Sequence, residues 1–109
     1  MNPLDYHVLL ALAGGPLHGY AIKEAVAIDS NGTLGPPAGT FYRVIARLLS
    51  ARLVTETAAP ADADPHPGLA RRYYALSAAG RRALEAESRR LKQTAAMAAK
   101  RLRLASGRS

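Results

Sequence analysis

The stretch between Leu53 and Ser77 restricts the fold more than any other part of the chain. Leu53-Val54-Thr55-Glu56-Thr57 has the β-branched composition of a strand, and Arg72 to Leu76 returns as a second one. Residues 58–70 between them, with Pro60, Pro65, Pro67 and Gly68, can be neither helix nor regular sheet. A two-stranded ribbon with a long loop at its tip is the remaining solution. Alternation puts Tyr74 and Leu76 on one face and Tyr73 and Ala75 on the other, so one tyrosine is expected in the core. The other is left to meet solvent or a partner. Arg71 and Arg72 open the return strand, and His66 stands at the loop tip, in reach of a phosphate or a minor groove.

Helical patterns flank this ribbon. Asn2 before Pro3 fits an N-cap followed by proline at the first helical position. The helix it opens, over Leu4 to Ala13, is apolar most of the way round and ends at Gly14-Gly15-Pro16. Such a helix should be sandwiched between others. A second helix is expected from Gly19 to Ile28, with Ile22, Ala25, Val26 and Tyr20 on its buried side, closed by Asp29-Ser30-Asn31-Gly32. Thr33-Leu34 offers a very short strand. A third helix begins within residues 36–40 and runs to about Ala51, burying Phe41, Val44, Ile45, Leu48 and Leu49 at intervals of three and four.

Ser77 is an N-cap candidate for a long final helix from about Ala78 to Leu104. Along it Leu84, Ser88, Leu91, Ala95, Ala98, Leu102 and Ala105 repeat in four–three steps, the period of a helix–helix seam. That seam outruns the three short helices, and an exposed leucine costs roughly 1.5–3 kcal/mol. A two-fold dimer is the economical way to cover it. Leu84, Leu91, Ala95, Ala98 and Leu102 are therefore the expected dimer-interface residues. The chain divides into residues 1–77, a helix–ribbon domain, and residues 78–109, a dimerisation helix and tail, forming one compact unit.

The exposed face of the third helix carries the chemistry. Arg43 and Arg47 sit one turn apart and point the same way. An arginine fork matches the O6/N7 edge of guanine or a phosphate, as a helix in the major groove requires. Gly39 and Thr40 stand at the helix start, where a missing Cβ lets backbone approach a phosphate and a hydroxyl can bind it. Tyr42 adds a donor at the rim. The same residues would also make an ordinary solvated helix face. A ribbon bearing Arg71 and Arg72 directly afterwards favours a nucleic-acid surface, with the ribbon lying beside the groove as a wing.

Charge agrees with this. Lys and Arg outnumber Asp and Glu by 15 to 8, and the formal net charge is +7, which favours an anionic partner. There is no cysteine, so disulfides, thiolate metal sites and cysteine catalysis are excluded. His7, His18 and His66 lack ligand spacing, and no metal or other cofactor is expected. The acids Asp62, Asp64, Glu85 and Glu87 form no pair with a base or nucleophile, so no enzyme is expected either. No segment reads as a signal peptide or a membrane span, and the expected compartment is the cytoplasm.

With Gly15-Pro16-Leu17-His18-Gly19-Tyr20, Gly39-Thr40-Phe41-Tyr42 followed by Leu48, and Arg72-Tyr73-Tyr74-Ala75-Leu76-Ser77 with Gly80, the chain resembles the PadR family of bacterial transcriptional regulators over roughly residues 4–85. The resemblance implies a mainly α fold with a small β-hairpin: a winged helix-turn-helix plus a long C-terminal helix that forms a homodimer. The activity it implies is repression of transcription at a pseudo-palindromic operator in double-stranded DNA. Gly39, Thr40 and Tyr42 match recognition-helix positions near DNA, and Arg72 matches the basic position of the wing. Arg43 stands where the family commonly has proline, and Ser50-Ala51-Arg52 lacks its usual acid–glycine pair. A small-molecule effector is a further partner the family allows. The drug pocket that some relatives build from tryptophans has no counterpart, since this chain has no Trp. The residues also fit a winged-helix protein-interaction module or a basic RNA-associated protein.

Overall fold

A computed structural model describes residues 1–63 and 71–107. The elements follow in the order α1 (Pro3–Ala11), β1 (Leu17–His18), α2 (Gly19–Asp29), α3 (Ala38–Ser50), β2 (Val54–Thr57), β3 (Tyr73–Leu76) and α4 (Ala78–Ser106). Each helix starts for a local reason. Asn2 Oδ1 accepts from the Asp5 amide at 2.8 Å and Pro3 occupies the first turn of α1. The chain leaves α1 through Gly15, whose φ of +137° suits a residue without Cβ. Between α2 and α3, Ser30 Oγ accepts from the Leu34 amide and Thr33 Oγ1 donates to the Ser30 carbonyl. These bonds tie residues 30–34 into a compact turn, and Thr33-Leu34 is not a strand. Ser77 Oγ accepts from the Gly80 amide at 2.9 Å and opens α4 as expected.

The three helices of the head share one core. Val8 and Leu9 from α1 and Leu12 at its C-cap meet Ile22 and Val26 from α2 and Phe41, Val44, Ile45 and Leu48 from α3. Val54, Tyr74 and Leu84 close it from the wing and α4. The apolar circumference of α1 is explained by its position against α2, α3 and α4 at once. Tyr20, assigned to the buried side of α2, is 66% exposed instead. Ile22 and Val26, one turn apart, already fill that side, and Tyr20 turns outward.

The ribbon is richer than a hairpin. The antiparallel sheet has the order β1-β3-β2, with Leu17 opposite Tyr74 and His18 opposite Tyr73 on one side of β3, and Val54 opposite Leu76 on the other. This makes β3 central, which a two-residue β1 leaves no room to see in the sequence pattern. It also changes the fate of the tyrosines. Both are buried, Tyr74 in the core and Tyr73 under the His18 ring, which meets it edge-on at 5.6 Å.

α4 starts as part of the head and ends far from it. Its first turn is held by the Ser77 amide on the Leu53 carbonyl at 3.1 Å and Ser77 Oγ on the Arg52 carbonyl at 2.7 Å. Gly80 lies so close to β2 that a Cβ there would sit 1.9 Å from the Leu53 oxygen. Leu84, expected at the seam between two copies, is 8% exposed and belongs to the core of its own chain. One turn on, Ser88 Oγ is 2.8 Å from the Tyr6 hydroxyl. Beyond that contact the same stripe comes free: Leu91 and Leu102 are exposed, as are Ala95 and Ala98. Met97 and Leu104 are also exposed, about 140° round the helix at ~100° per residue. The chain measures 64 × 27 × 26 Å, and α4 supplies the long axis.

Candidate nucleic-acid interface

The exposed residues of α3 do not form one uniform cationic row. At its start Gly39 and Thr40 are surface residues, and a Cβ on Gly39 would meet nothing nearer than the Arg43 guanidinium at 3.8 Å. Arg43 folds back so that Nη2 donates to Thr40 Oγ1 at 3.2 Å, an exposed bond that a stronger acceptor displaces easily. Tyr42, half exposed, leans from α3 towards the beginning of α2. That approach depends on Gly19, where a Cβ would lie 2.9 Å from the Tyr42 hydroxyl.

Arg47 is differently placed from the expectation that it stands free beside Arg43. Its guanidinium forks onto Asp5 of α1, Nη1 to Oδ2 at 2.8 Å and Nη2 to Oδ1 at 2.5 Å. The Asp5 side chain is 10% exposed and that of Arg47 is 52% exposed, so the arginine roofs the acid while keeping one side in water. The hydrogen bonds and charge of Asp5 hold the Arg47 guanidinium protonated above its already high ordinary range.

The wing completes the surface. His18, Gly19, Tyr20, Tyr42, Arg71, Arg72 and Tyr74 surround an open cleft of about 230 Å³. His18 caps α2, its Nδ1 accepting from the Ala21 amide at 3.2 Å, and Arg71 Nη1 lies 2.9 Å from its Nε2. Arg72 faces Glu56 across 3.8 Å with both side chains largely in solvent, a pair too loose to hold the cation. Burial first, then the nearby Glu56 charge, push the Tyr74 phenol above its ordinary value. The fold therefore brings Tyr42, Arg71 and Arg72 to one cleft, leaves Gly39, Thr40 and Arg43 outside its lining at the start of α3, and turns Arg47 towards α1. His66 lies outside the described residues.

His18, Gly19 and Tyr20 belong to a motif visible in the sequence, but their place at the cleft was not expected from it. The signal available was His18 at the first position before a helix, where its ring accepts from the backbone much as Ser or Asn would. Among the described residues no group of three or more His, Asp or Glu side chains could hold a metal ion. No helix among them is long and apolar enough to cross a membrane.

Two helices joined by a tight turn, the second exposing a basic face, followed by a β-wing, define the winged helix-turn-helix class. The model of the transcriptional regulator PadR-like family matches residues 8–86, and the chain belongs to this family. A PadR family transcription regulator from Clostridium difficile superimposes with a TM-score of 0.74 over 93% of this chain and 99% of that one, at 20% identity. Bacillus subtilis PadR in complex with operator DNA gives 0.61 over 77% of this chain and 45% of that one, again at 20% identity. An uncharacterized protein in a transposon of Streptomyces fradiae is 39% identical over 87 residues. This chain spans 22% of the length of that protein.

Proposed function

We propose that this chain is a sequence-specific DNA-binding regulator, acting in the cytoplasm as a homodimeric repressor. α3 enters the major groove and the wing grips the neighbouring backbone. Arg43 and Arg47 are the base-contact residues, and Gly39, Thr40, Tyr42, Arg71 and Arg72 hold phosphates. The observation that carries this reading is convergence on one open cleft: Tyr42 from α3, Gly19 and Tyr20 from the start of α2, and Arg71 and Arg72 from the wing. A phosphate backbone needs donors from several elements at once, whereas a merely solvated helix face does not. The operator complex of Bacillus subtilis PadR, which shares the fold, supports the same role.

Dimerisation is assigned to the free part of the α4 stripe, Leu91, Ala95, Ala98 and Leu102. Leu91 also lines a groove of about 340 Å³ with Met1, Asn2, Pro3, Tyr6, His7, Glu87 and Arg90, which a second copy can fill. Two recognition helices related by a two-fold axis then read half-sites about 34 Å apart, or a multiple of it. A small-molecule effector would act by changing that spacing.

Selection of bound sequences from random duplexes, followed by affinity measurements across a salt series, tests all of this. Arg43→Ala should cost about 1–3 kcal/mol and relax the preference at one position. Arg72→Ala should weaken every duplex alike and lower the salt slope by about one. Failure to enrich any site, or a preference for folded RNA, would refute the proposal.

A further inference from the structure

Arg47 lies on the exposed face of α3, yet it is not a free cation. Its two terminal nitrogens are committed to Asp5, and the carboxylate that receives them is almost wholly buried. A guanidinium has five N–H donors in a rigid plane. End-on binding to a carboxylate uses two of them and leaves the Nε–Nη2 edge unspent. That edge is itself a two-donor fork, of the kind that fits guanine O6/N7. A half-exposed arginine held in this way has lost the rotamer freedom of its long stem before any ligand arrives.

Resting on the DNA-binding reading above, we propose that Asp5 is a positioning residue for sequence readout. From α1 it fixes the plane of the Arg47 guanidinium, so that the remaining edge meets a base rather than wandering to the nearest phosphate. Three features support this over simple charge neutralisation. The contact is two-pronged, which sets a plane and not only a distance. The acid is covered by the arginine it holds, so its negative charge is not offered to a polyanion. Asp5 is itself anchored, its amide bonded to Asn2 Oδ1 in the first turn of α1. Arg43, one turn away on α3, has only the Thr40 hydroxyl and enters the groove unbraced. The two arginines therefore differ in role: Arg43 adapts, and Arg47 is preset.

Asp5→Asn keeps the shape and removes the charge. Affinity for the best site selected from random duplexes, and for a scrambled duplex of equal length, is measured over a salt series by fluorescence anisotropy. Circular dichroism confirms that each variant is folded. The preference for the selected site should fall on the order of tenfold, the size of one good bidentate base contact. The scrambled duplex should bind more tightly, with the salt slope steeper by up to about 0.9, because Arg47 becomes an unpaired cation. Arg47→Lys, which cannot fork, should lose the same preference. Asp5→Asn added to Arg47→Ala should cost no further preference for the selected site, as coupled residues require, while relieving the bared carboxylate's repulsion of every duplex alike.

A gain on all duplexes with the preference unchanged would reduce Asp5 to a charge mask and overturn the inference. So would a loss of thermal stability with preference and salt slope both intact, or full additivity of the two substitutions. If the wild-type protein prefers no duplex at all, the DNA-binding reading fails and takes this inference with it.

Discussion

A methyl group at position 80 has no room. The Cβ of an alanine there would lie 1.9 Å from the Leu53 carbonyl oxygen and 2.9 Å from its carbon. Even the tight C–H···O contacts of proteins keep C and O about 3.3 Å or more apart. Backbone, and not a flexible side chain, must therefore move by roughly 1.4 Å. The same carbonyl accepts from the Ser77 amide at 3.1 Å, so the shift loosens the joint between β2 and α4. Overpacking of this kind costs about 1–3 kcal/mol, and loss of that hydrogen bond adds about 0.5–1.5 kcal/mol. Alanine's better helix propensity returns up to about 1 kcal/mol. The net destabilisation of Gly80→Ala should be about 1–3 kcal/mol, or a fall in Tm of roughly 5–12 °C for a domain of this size. Thermal and urea unfolding followed by circular dichroism measure it, at one protein concentration, because the proposed dimerisation would make Tm concentration-dependent. An unchanged or higher Tm would show that α4 does not begin in contact with the wing, and the reasoning would fail.

Gly39 should behave in the opposite way. Its Cβ position is open, so Gly39→Ala should raise stability by about 0.5–1 kcal/mol while weakening binding to the selected duplex, where the methyl obstructs the backbone's approach to a phosphate. Equal DNA affinity would remove Gly39 from the interface. Ser77→Ala loses the cap on Gly80 and the bond to the Arg52 carbonyl, and chemical denaturation should report a loss of about 1–2 kcal/mol. The raised pKa of Tyr74 favours the neutral phenol in the fold. Its contribution is therefore complete below the ordinary tyrosine value of about 10 and lost as pH rises through the higher folded value. Urea midpoints between pH 8 and 11 should fall less steeply for Tyr74→Phe than for the wild-type chain, and identical curves would contradict the assignment.

How much was legible in the sequence differs from element to element. The 3.6-residue period of Phe41, Val44, Ile45 and Leu48 located α3 and its buried face. Asn2 and Ser77 announced their helices through short-range backbone capping. The β-branched run of β2 and the basic–aromatic start of β3 identified the wing. These signals are local: each rests on residues within a turn or two of one another, where chain connectivity decides who meets whom. The family motifs were legible for the same reason.

What only the tertiary structure decided lies between residues distant in sequence. β1 is two residues long, and only its pairing with β3 makes β3 central and buries both tyrosines. Leu84 and Leu91 look alike along the α4 stripe. Contact with the head takes the first into the core and leaves the second exposed. Arg43 and Arg47 share a face and a residue type, but Asp5, 42 positions away, claims one of them. Helical period specifies a direction from the axis, while the identity of what lies in that direction depends on how separate elements pack. Charge on α3 was therefore determined by the sequence, and its availability by the fold.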